Sequence, residues 1–298
     1  MVGAIVSRYH PNAIRPAATG TAVASRPGRR RRAFTPRSVA EGVRGGASRR
    51  LDPVLRPRGY TRCMCGRFTL TPETTERIAE ILGIAPDEVF EETYVPRWNV
   101  APMQPHWIVR LEGEERCVLP ATWGLVNWWE TSRREGAKHI NARAETLATR
   151  RTFHEAFAAT RCIVPADGFF EWVGDAQARR PFWFHRPDRE PFAFAGLYAE
   201  ARLKGEPEAI RTFTIVTTRA NELMEPIHNR MPVILDGAAA IDAWLDPRQR
   251  SDAVAPLLEP IPRGYLEVTA VSTRVNSVAN DDPACLDEAE PETQAPLL

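Results

Sequence analysis

Lysine is almost absent from this chain. Only Lys138 and Lys204 occur in 298 residues, so arginine supplies nearly all of the positive charge. A GC-rich coding sequence produces the same bias, and the run Arg29–Arg32 is therefore weak evidence for a nucleic-acid-binding arm.

Cysteine is scarce as well, and long apolar runs are missing. The five cysteines are odd in number and irregularly spaced, which argues against a disulfide framework and favours a reducing cytoplasm. No stretch reaches the roughly eighteen apolar residues of a membrane helix. Cys63 and Cys65 form a C-x-C pair, which alone is a weak metal signal. We therefore predict a cytoplasmic protein with no membrane segment, no metal and no cofactor.

The charge changes sign along the chain at Met64. Residues 1–63 contain 14 Arg and only two acids, Glu41 and Asp52, a net of +12, whereas the remaining residues have a net of −11. We predict that residues 1–63 are a basic, disordered leader. A mis-assigned upstream start explains it best, a targeting extension comes next, and a functional basic arm is third. If Met64 is the true start, removal of that methionine leaves Cys65 with a free α-amine.

About 235 residues follow the leader, enough to bury a core. Short β-rich runs separated by Pro, Gly and charged loops predict an α+β fold: a largely antiparallel, barrel-like β core with peripheral helices. We predict one domain over residues 64–286 and an acidic, disordered tail over 287–298. Four helices are predicted: the first begins at Thr71 and Pro72 and ends at Gly83, and the others cover 153–160, 219–225 and 238–245. The predicted strands are a pair within 106–119 that turns at 112–114, followed by 161–165, 182–185, 192–197, 213–217, 232–235 and 265–272. The segment 97–104 is predicted to be a loop.

An N-terminal cysteine has chemistry that an internal one lacks. Its amine can form an imine with an aldehyde, and its thiol can then close a five-membered thiazolidine on the same carbon. The α-amine titrates at about 7.7–8.0 and the thiol at about 8.5, so both groups are partly reactive near neutral pH. The alternatives for Cys65 are a buried structural thiol or half of a metal-binding pair.

Two further segments carry paired polar groups. Asn141 and Arg143 are two apart and share a face if the segment is extended, so that a neutral amide lies beside a guanidinium able to hold a phosphate. His228 and Arg230 precede an apolar run, an arrangement that suits a proton shuttle and a phosphate clamp. Each pair could also be structural: a solvated loop with an Arg–Glu pair, and a satisfied histidine.

Aromatic residues surround the remaining candidates. Glu171 follows Phe169 and Phe170 and precedes a tryptophan, so burial is expected to raise its pKa toward the range of a general acid–base. The neighbours Trp128 and Trp129 cannot both point inward on a strand, and an exposed one could stack on an unpaired base. Core packing with a capped loop explains the tryptophan pair about equally well.

Eight motifs in order resemble the SRAP family, whose members shield abasic sites in single-stranded DNA. They cover Met64 to about Asp287 and read MCGRF, RWNVAPMQ, WGLVNWW, NARAET, RCIVPADGFFEW, the PFWF and AFAGLY strands, IHNRMPVIL and VNSVANDDPAC. Each motif is weak alone, but eight in this order are highly specific. Two departures stand out: 63 residues precede Met64, and Asn229 stands where the family pattern suggests Asp.

The resemblance implies a mechanism and a compact antiparallel β core with outer helices. It implies that Cys65 forms a thiazolidine with the ring-opened abasic aldehyde, and that family members remove their own initiator methionine in a peptidase-like step. The partner implied is single-stranded DNA with abasic sites, and we expect a monomer. The implied roles are Asn141 as the amide that orients the amine, Glu171 as acid–base, His228 at the abasic sugar, Arg67, Arg143 and Arg230 at the DNA backbone, and Trp128 and Trp129 where the partner strand is displaced.

Two rival functions remain open from the sequence. An autoprocessing thiol hydrolase would use Cys65 against amides with Glu171 and His228 as its base system, but it leaves Arg143 and Arg230 unexplained. A non-covalent single-strand binder would leave Cys65 inert.

Overall fold

The computed structural model describes residues 66–84, 88–175 and 178–289. Met64, Cys65, the predicted leader and residues 290–298 lie outside this part of the chain. Within it, no helix is long and apolar enough to cross a membrane. The helices are α1 Thr75–Leu82, α2 Glu88–Thr93, α3 His154–Ala159, α4 Gly237–Leu245 and α5 Ser251–Val254; the strands are β1 Phe68–Leu70, β2 Arg97–Val100, β3 Pro105–Glu112, β4 Glu115–Trp123, β5 Asn141–Arg143, β6 Arg161–Ala166, β7 Gly168–Val173, β8 Arg180–His185, β9 Phe192–Ala201, β10 Ile210–Arg219, β11 Arg230–Pro232, β12 Ile234–Leu235 and β13 Glu267–Ala270.

The strands form two sheets. The first is antiparallel, in the order β13-β8-β7-β1-β2. In the second, β10, β4, β3, β6 and β9 pair in sequence, and β9 pairs again with β10, so these five strands close a ring. The sheets are largely antiparallel, with β10 running parallel to both β4 and β5. The predicted β core with outer helices is thus confirmed.

Aromatic side chains join the first sheet to the ring. Phe68 on β1 packs edge-to-face on Trp123 at 5.1 Å and on Phe194 at 5.9 Å between ring centroids. Phe169 on β7 also contacts Phe194. All four rings are almost fully buried, and rings of this size supply much of a core's hydrophobic stabilisation. This packing fixes β1, the strand that begins three residues after Cys65.

The first helix ends where the sequence predicts but begins later. Gly83 adopts the left-handed conformation (φ 59°) and closes the helix, which glycine does without steric cost. The predicted cap at Thr71 is wrong, because Thr74 occupies the N-cap position. Both the hydroxyl and the backbone N–H of Thr71 instead donate to the carboxylate of Asp167.

Two other predicted elements are corrected by the structure. The helix predicted from Arg219 to Glu225 is a series of turns, because β10 continues through Arg219 and the side chain of Asn221 accepts the backbone N–H groups of Leu223 and Met224. The strand predicted over 232–235 divides at Val233 into β11 and β12.

The loop predicted over 97–104 contains a strand, β2. The polar sequence of β2 does not predict a strand. The strand forms because its backbone is hydrogen-bonded to distant partners, in β1 and in the loop near residue 281.

Candidate functional site

Strand β10 brings together four of the predicted site residues. Its parallel partner β5 pairs Ile215 with Asn141 and Thr217 with Arg143. Its antiparallel partner β11 begins at Arg230, and His228 precedes that strand by two residues. One strand therefore connects two sequence motifs that are about 90 residues apart.

The segment around Asn141 is extended, as its spacing required. Ala142 is fully buried in the core, so Asn141 and Arg143 share the opposite face. Asn141 is half-buried with a buried Oδ1, whereas Arg143 is exposed. The guanidinium of Arg143 makes no ion pair with any residue that the structure describes.

His228 is a buried, neutral imidazole. Nδ1 of His228 lies 3.0 Å from the backbone nitrogen of Arg230 and 3.3 Å from the carbonyl oxygen of the same residue. Burial is the main cause that lowers the pKa of His228; the hydrogen bond to the Arg230 backbone opposes this, and the charge of Arg230 lowers the pKa further. Since the ordinary value is about 6.5, His228 is neutral at pH 7 and presents one ring N–H as a donor.

Arg230 is held inside the protein by a carboxylate. Its Nη1 and Nη2 donate to the two oxygens of Glu145 at 2.5 and 3.0 Å, and Nη2 also donates to the carbonyl of Thr217 at 2.7 Å. The sequence identified Arg230 but not Glu145, although the NARAET motif contains both the predicted Arg143 and this glutamate. The hydrogen bond from Arg230 holds the pKa of Glu145 below its usual range.

Arg67 and Glu171 lie in the first sheet. Glu171 on β7 is only 3% exposed, and its neighbour Phe170 donates its backbone N–H to the carbonyl of Arg67 at 3.0 Å. The guanidinium of Arg67 lies 5.8 Å from the ring centroid of Trp172. Arg67 therefore lies beside the strand that carries Glu171, one residue after Gly66, where the described chain begins.

A loop near the C-terminus rims this side of the site. Nη1 of Arg67 donates to Asn99 Oδ1 at 2.8 Å and to the carbonyl of Val275 at 2.9 Å. Trp172 Nε1 donates to Asn276 at 2.7 Å. These contacts place Val275 and Asn276 beside Arg67 and Trp172.

Asn99 and Asp281 lock that loop onto β2. The buried amide of Asn99 donates to the carbonyls of Val275, Ser277 and Asn280, the last at 2.7 Å. The carboxylate of Asp281 accepts the backbone N–H groups of Trp98 and Asn99 and pairs with Arg97. Neither was singled out as a site residue, although both lie within the quoted motifs.

Asp167 binds the end of β1 through its side chain. It is buried, and it accepts hydrogen bonds from the hydroxyls of Thr69 and Thr71 and from the backbone N–H of Thr71. Burial raises its pKa, while these hydrogen bonds oppose the rise. Asp167 thereby ties the end of β1 to the turn that leads into β7 and Glu171.

The tryptophan pair lies in a turn rather than on a strand. Trp128 is 69% exposed and Trp129 is half-buried, and their rings meet edge-to-face with centroids 5.3 Å apart. The guanidinium of Arg151 lies 5.2 Å from the Trp129 ring, and Trp128 Nε1 donates to Glu155. The exposed ring is therefore Trp128, whereas the ring that faces a cation is the half-buried Trp129.

The base of this tryptophan loop is a contact between two glycines. A Cβ on Gly136 would lie 2.4 Å from the backbone oxygen of Gly124, where no flexible side chain can yield. We expect Gly136→Ala to lower the free energy of unfolding by about 1–3 kcal/mol, the usual cost of overpacking. Gly264→Ala is the matched control, since a Cβ there meets nothing within 4 Å. Urea unfolding of the two variants measures the difference, and equal stability would mean that the loop base is not tightly packed.

A family of known proteins matches most of the chain after Met64. The family described as SOS response associated peptidase (SRAP) matches residues 64–278. The chain belongs to the SRAP family.

Named relatives and solved structures agree with this assignment. Abasic site processing protein YoqW from Bacillus subtilis is 39% identical over 75% of this chain and 99% of its own length. Abasic site processing protein HMCES from Gallus gallus is 29% identical over 76% of each chain. A crystal structure of a protein from Bacteroides thetaiotaomicron is 26% identical, with a TM-score of 0.67, over 76% of this chain and 100% of that chain.

Proposed function

We propose that this protein recognises abasic sites in single-stranded DNA and links to them covalently through Cys65, exposed when Met64 is removed. The convergence on β10 of Asn141, Arg143, a neutral His228 and Arg230 is the observation that carries the proposal. The relatives named abasic site processing proteins support the same target. In this proposal the protein acts as a cytoplasmic monomer, nucleoid-associated when it is bound to damaged DNA, and uses no metal or cofactor.

The chemistry needs one loss of water. The α-amine of Cys65 adds to the aldehyde carbon of the ring-opened abasic sugar, and loss of water gives an imine. The thiol then adds to the same carbon, its proton passes to the nitrogen, and the thiazolidine ring closes. No oxidant or activated group is needed, and the lesion supplies the electrophile.

Each site residue has a role in this sequence. Asn141 orients the neutral amine, since an amide can accept and donate hydrogen bonds without protonating it. Glu171 carries the proton between the amine and the leaving water. His228, neutral at pH 7, donates a ring N–H hydrogen bond to the sugar oxygen O4′, which stabilises the negative charge that develops there as the ring opens, and water supplies the proton.

In this proposal arginine side chains hold the DNA backbone, and a tryptophan ring stacks on a base. Arg143 is exposed and without an ion pair among the described residues, so it can take a phosphate directly. Arg67 and Arg230 would contribute from their buried networks. Trp128 would stack where the partner base is missing, at roughly 1–3 kcal/mol for a stacked base.

The thiol hydrolase shares the cysteine but leaves the arginines unexplained, whereas the non-covalent binder uses the arginines and leaves Cys65 inert. A thiol hydrolase needs Cys65, Glu171 and His228, and in this proposal peptidase-like chemistry is limited to removal of Met64, with lyase activity at the sugar as a side reaction. A denaturing gel of protein mixed with abasic oligonucleotide decides between them. A heat-stable shifted band supports the covalent proposal, whereas DNA binding without that band supports the non-covalent binder.

Binding and chemistry should separate between two variants. Arg143→Ala should weaken binding to a single-stranded oligonucleotide that carries a tetrahydrofuran abasic analogue by about tenfold, because a charge-assisted phosphate contact is lost. The slope of log affinity against log salt should also fall by about 0.7. His228→Ala should keep that affinity but slow adduct formation on a true abasic site by about a hundredfold.

Fluorescence anisotropy and timed denaturing gels measure the two effects. Arg263→Ala is the matched control, an exposed arginine in a short 3-10 helix without an ion pair among the described residues. If Arg143→Ala binds like this control, Arg143 is not a phosphate contact.

A further inference from the structure

The two side chains of the Arg230–Glu145 ion pair differ in exposure. The Arg230 side chain is 11% exposed and Glu145 is 54% exposed, and the two meet through a two-point fork. The exposed partner can leave without rearranging the core, whereas the buried arginine cannot.

A phosphate could bind the Arg230 guanidinium in the same two-point geometry as the Glu145 carboxylate. Two parallel N–H groups of a guanidinium bind two carboxylate oxygens or two phosphate oxygens equally well. Thr217 holds Nη2 of Arg230 from the protein side at 2.7 Å, so the guanidinium stays in place when the carboxylate departs. Nε of Arg230 is buried without a hydrogen-bond partner in the described part of the chain, so Glu145 does not satisfy every donor. A phosphate offers more acceptor oxygens than a carboxylate.

We infer that Glu145 is a built-in competitor of the DNA phosphate. It occupies the Arg230 fork in the unbound protein and must be displaced before the backbone of the strand can engage that arginine. The inference rests on the proposed function and adds to it a residue that sets DNA affinity.

The surroundings allow this exchange. Glu145 also lines an open surface pocket of about 670 Å³, so the displaced carboxylate has room there; Arg248 and Arg250 in its wall are paired with Asp246 and Asp252. Arg143, two residues before Glu145 and exposed, is placed to meet a phosphate at the same strand end. In the bound state the two arginines would face the DNA backbone together, while Glu145 would point into the pocket.

The competitor role predicts a gain of affinity on mutation. Glu145→Gln keeps the shape of the side chain but removes the charge that holds the fork. We expect this variant to bind a single-stranded oligonucleotide with a tetrahydrofuran abasic analogue roughly threefold to tenfold more tightly than the wild type at low salt. In an Arg230→Ala background the same substitution should have a much smaller effect, since the fork is then absent.

Glu190→Gln is the matched control. Glu190 forms a similar two-point fork with Arg77, with both distances 2.7 Å, on the first helix rather than on β10. The Glu190→Gln substitution removes the same charge and should leave the affinity for the oligonucleotide close to that of the wild type.

Anisotropy titrations of the four site proteins and the control give distinct outcomes. Tighter binding that depends on Arg230 supports the inference. Tighter binding that persists in the Arg230→Ala background, or that Glu190→Gln reproduces, overturns it in favour of a general charge effect. Unchanged or weaker binding by Glu145→Gln also overturns it, since Glu145 would then be inert or would position Arg230. Failure of the wild type itself to bind the oligonucleotide would instead refute the proposed function.

Discussion

Protein that begins at Cys65 should form a heat-stable adduct with a single-stranded oligonucleotide carrying one abasic site, and Cys65→Ala should form none. The thiol and the α-amine are both needed for ring closure, so this is the largest effect we expect. Cys65→Ser keeps the amine but not a good second nucleophile, and it should leave an imine that borohydride traps. Retention of residues 1–64 removes the free amine and should also abolish the adduct. Denaturing gels and intact mass spectrometry measure each species, with a gain equal to the abasic strand less one water.

The other thiols provide the control for this result. Cys117, Cys162 and Cys285 form no disulfide in the described part of the chain, and Cys117 is partly buried whereas the other two are buried. Burial raises the pKa of Cys162 and of Cys285, which keeps both thiols protonated and unreactive at neutral pH. Cys117→Ser should therefore react like the unmodified protein. An adduct that survives in Cys65→Ala, or that disappears in a folded Cys117→Ser variant, would contradict the assignment of Cys65.

Glu171→Gln should slow adduct formation by about 10²–10⁴-fold, with little change in affinity for the abasic analogue. A positioned proton carrier contributes about that much to a rate, and it acts on the transition state rather than on the bound ground state. The pH–rate profile should lose the limb that Glu171 contributes. The remaining limb should belong to His228. Its apparent pKa should lie below about 6.5, the ordinary value for histidine, because burial lowers the pKa of that imidazole.

Glu171→Asp separates a proton carrier from a structural residue. It keeps the carboxyl group but withdraws it by one methylene, so partial activity with both limbs of the profile is expected. A Glu171→Gln variant that reacts at the unmodified rate with an unchanged profile would make Glu171 a packing residue of β7, and the proton would then have to pass through His228 or water.

Local patterns predicted the strands well where the apolar residues were continuous. The runs 161–165, 192–197 and 213–217 lie inside β6, β9 and β10, because strands buried in a closed ring need apolar side chains on both faces. The strand β2 escaped prediction because its polar sequence is paired with partners far along the chain. The cap at Thr71 failed for a related reason: its hydroxyl is bound by Asp167, 96 residues away.

The candidate site was foreseeable in composition but not in its electrostatics. The motifs name Asn141, Glu171 and His228 directly, and the roles of these residues stay predictions. The sequence shows Arg230 and Glu145 85 residues apart and gives no sign that one neutralises the other. The contacts of the His228 ring likewise depend on the backbone of Arg230, which lies against Nδ1 only in the folded chain.

The lock between the two ends of the domain has a consequence for synthesis. β2 is held by Asp281, which follows it by about 180 residues, and Arg67 reaches the carbonyl of Val275, 208 residues ahead. A bacterial or eukaryotic ribosome that adds roughly 5–20 residues per second therefore needs at least about ten seconds after making Arg67 before its last partner exists. In the proposed function, the amine and thiol of Cys65 would therefore be present before the candidate site is complete. Premature termination before residue 275 would leave a chain that contains Cys65 but lacks the carbonyl of Val275 that binds Arg67, so the candidate site can form only when translation is almost complete.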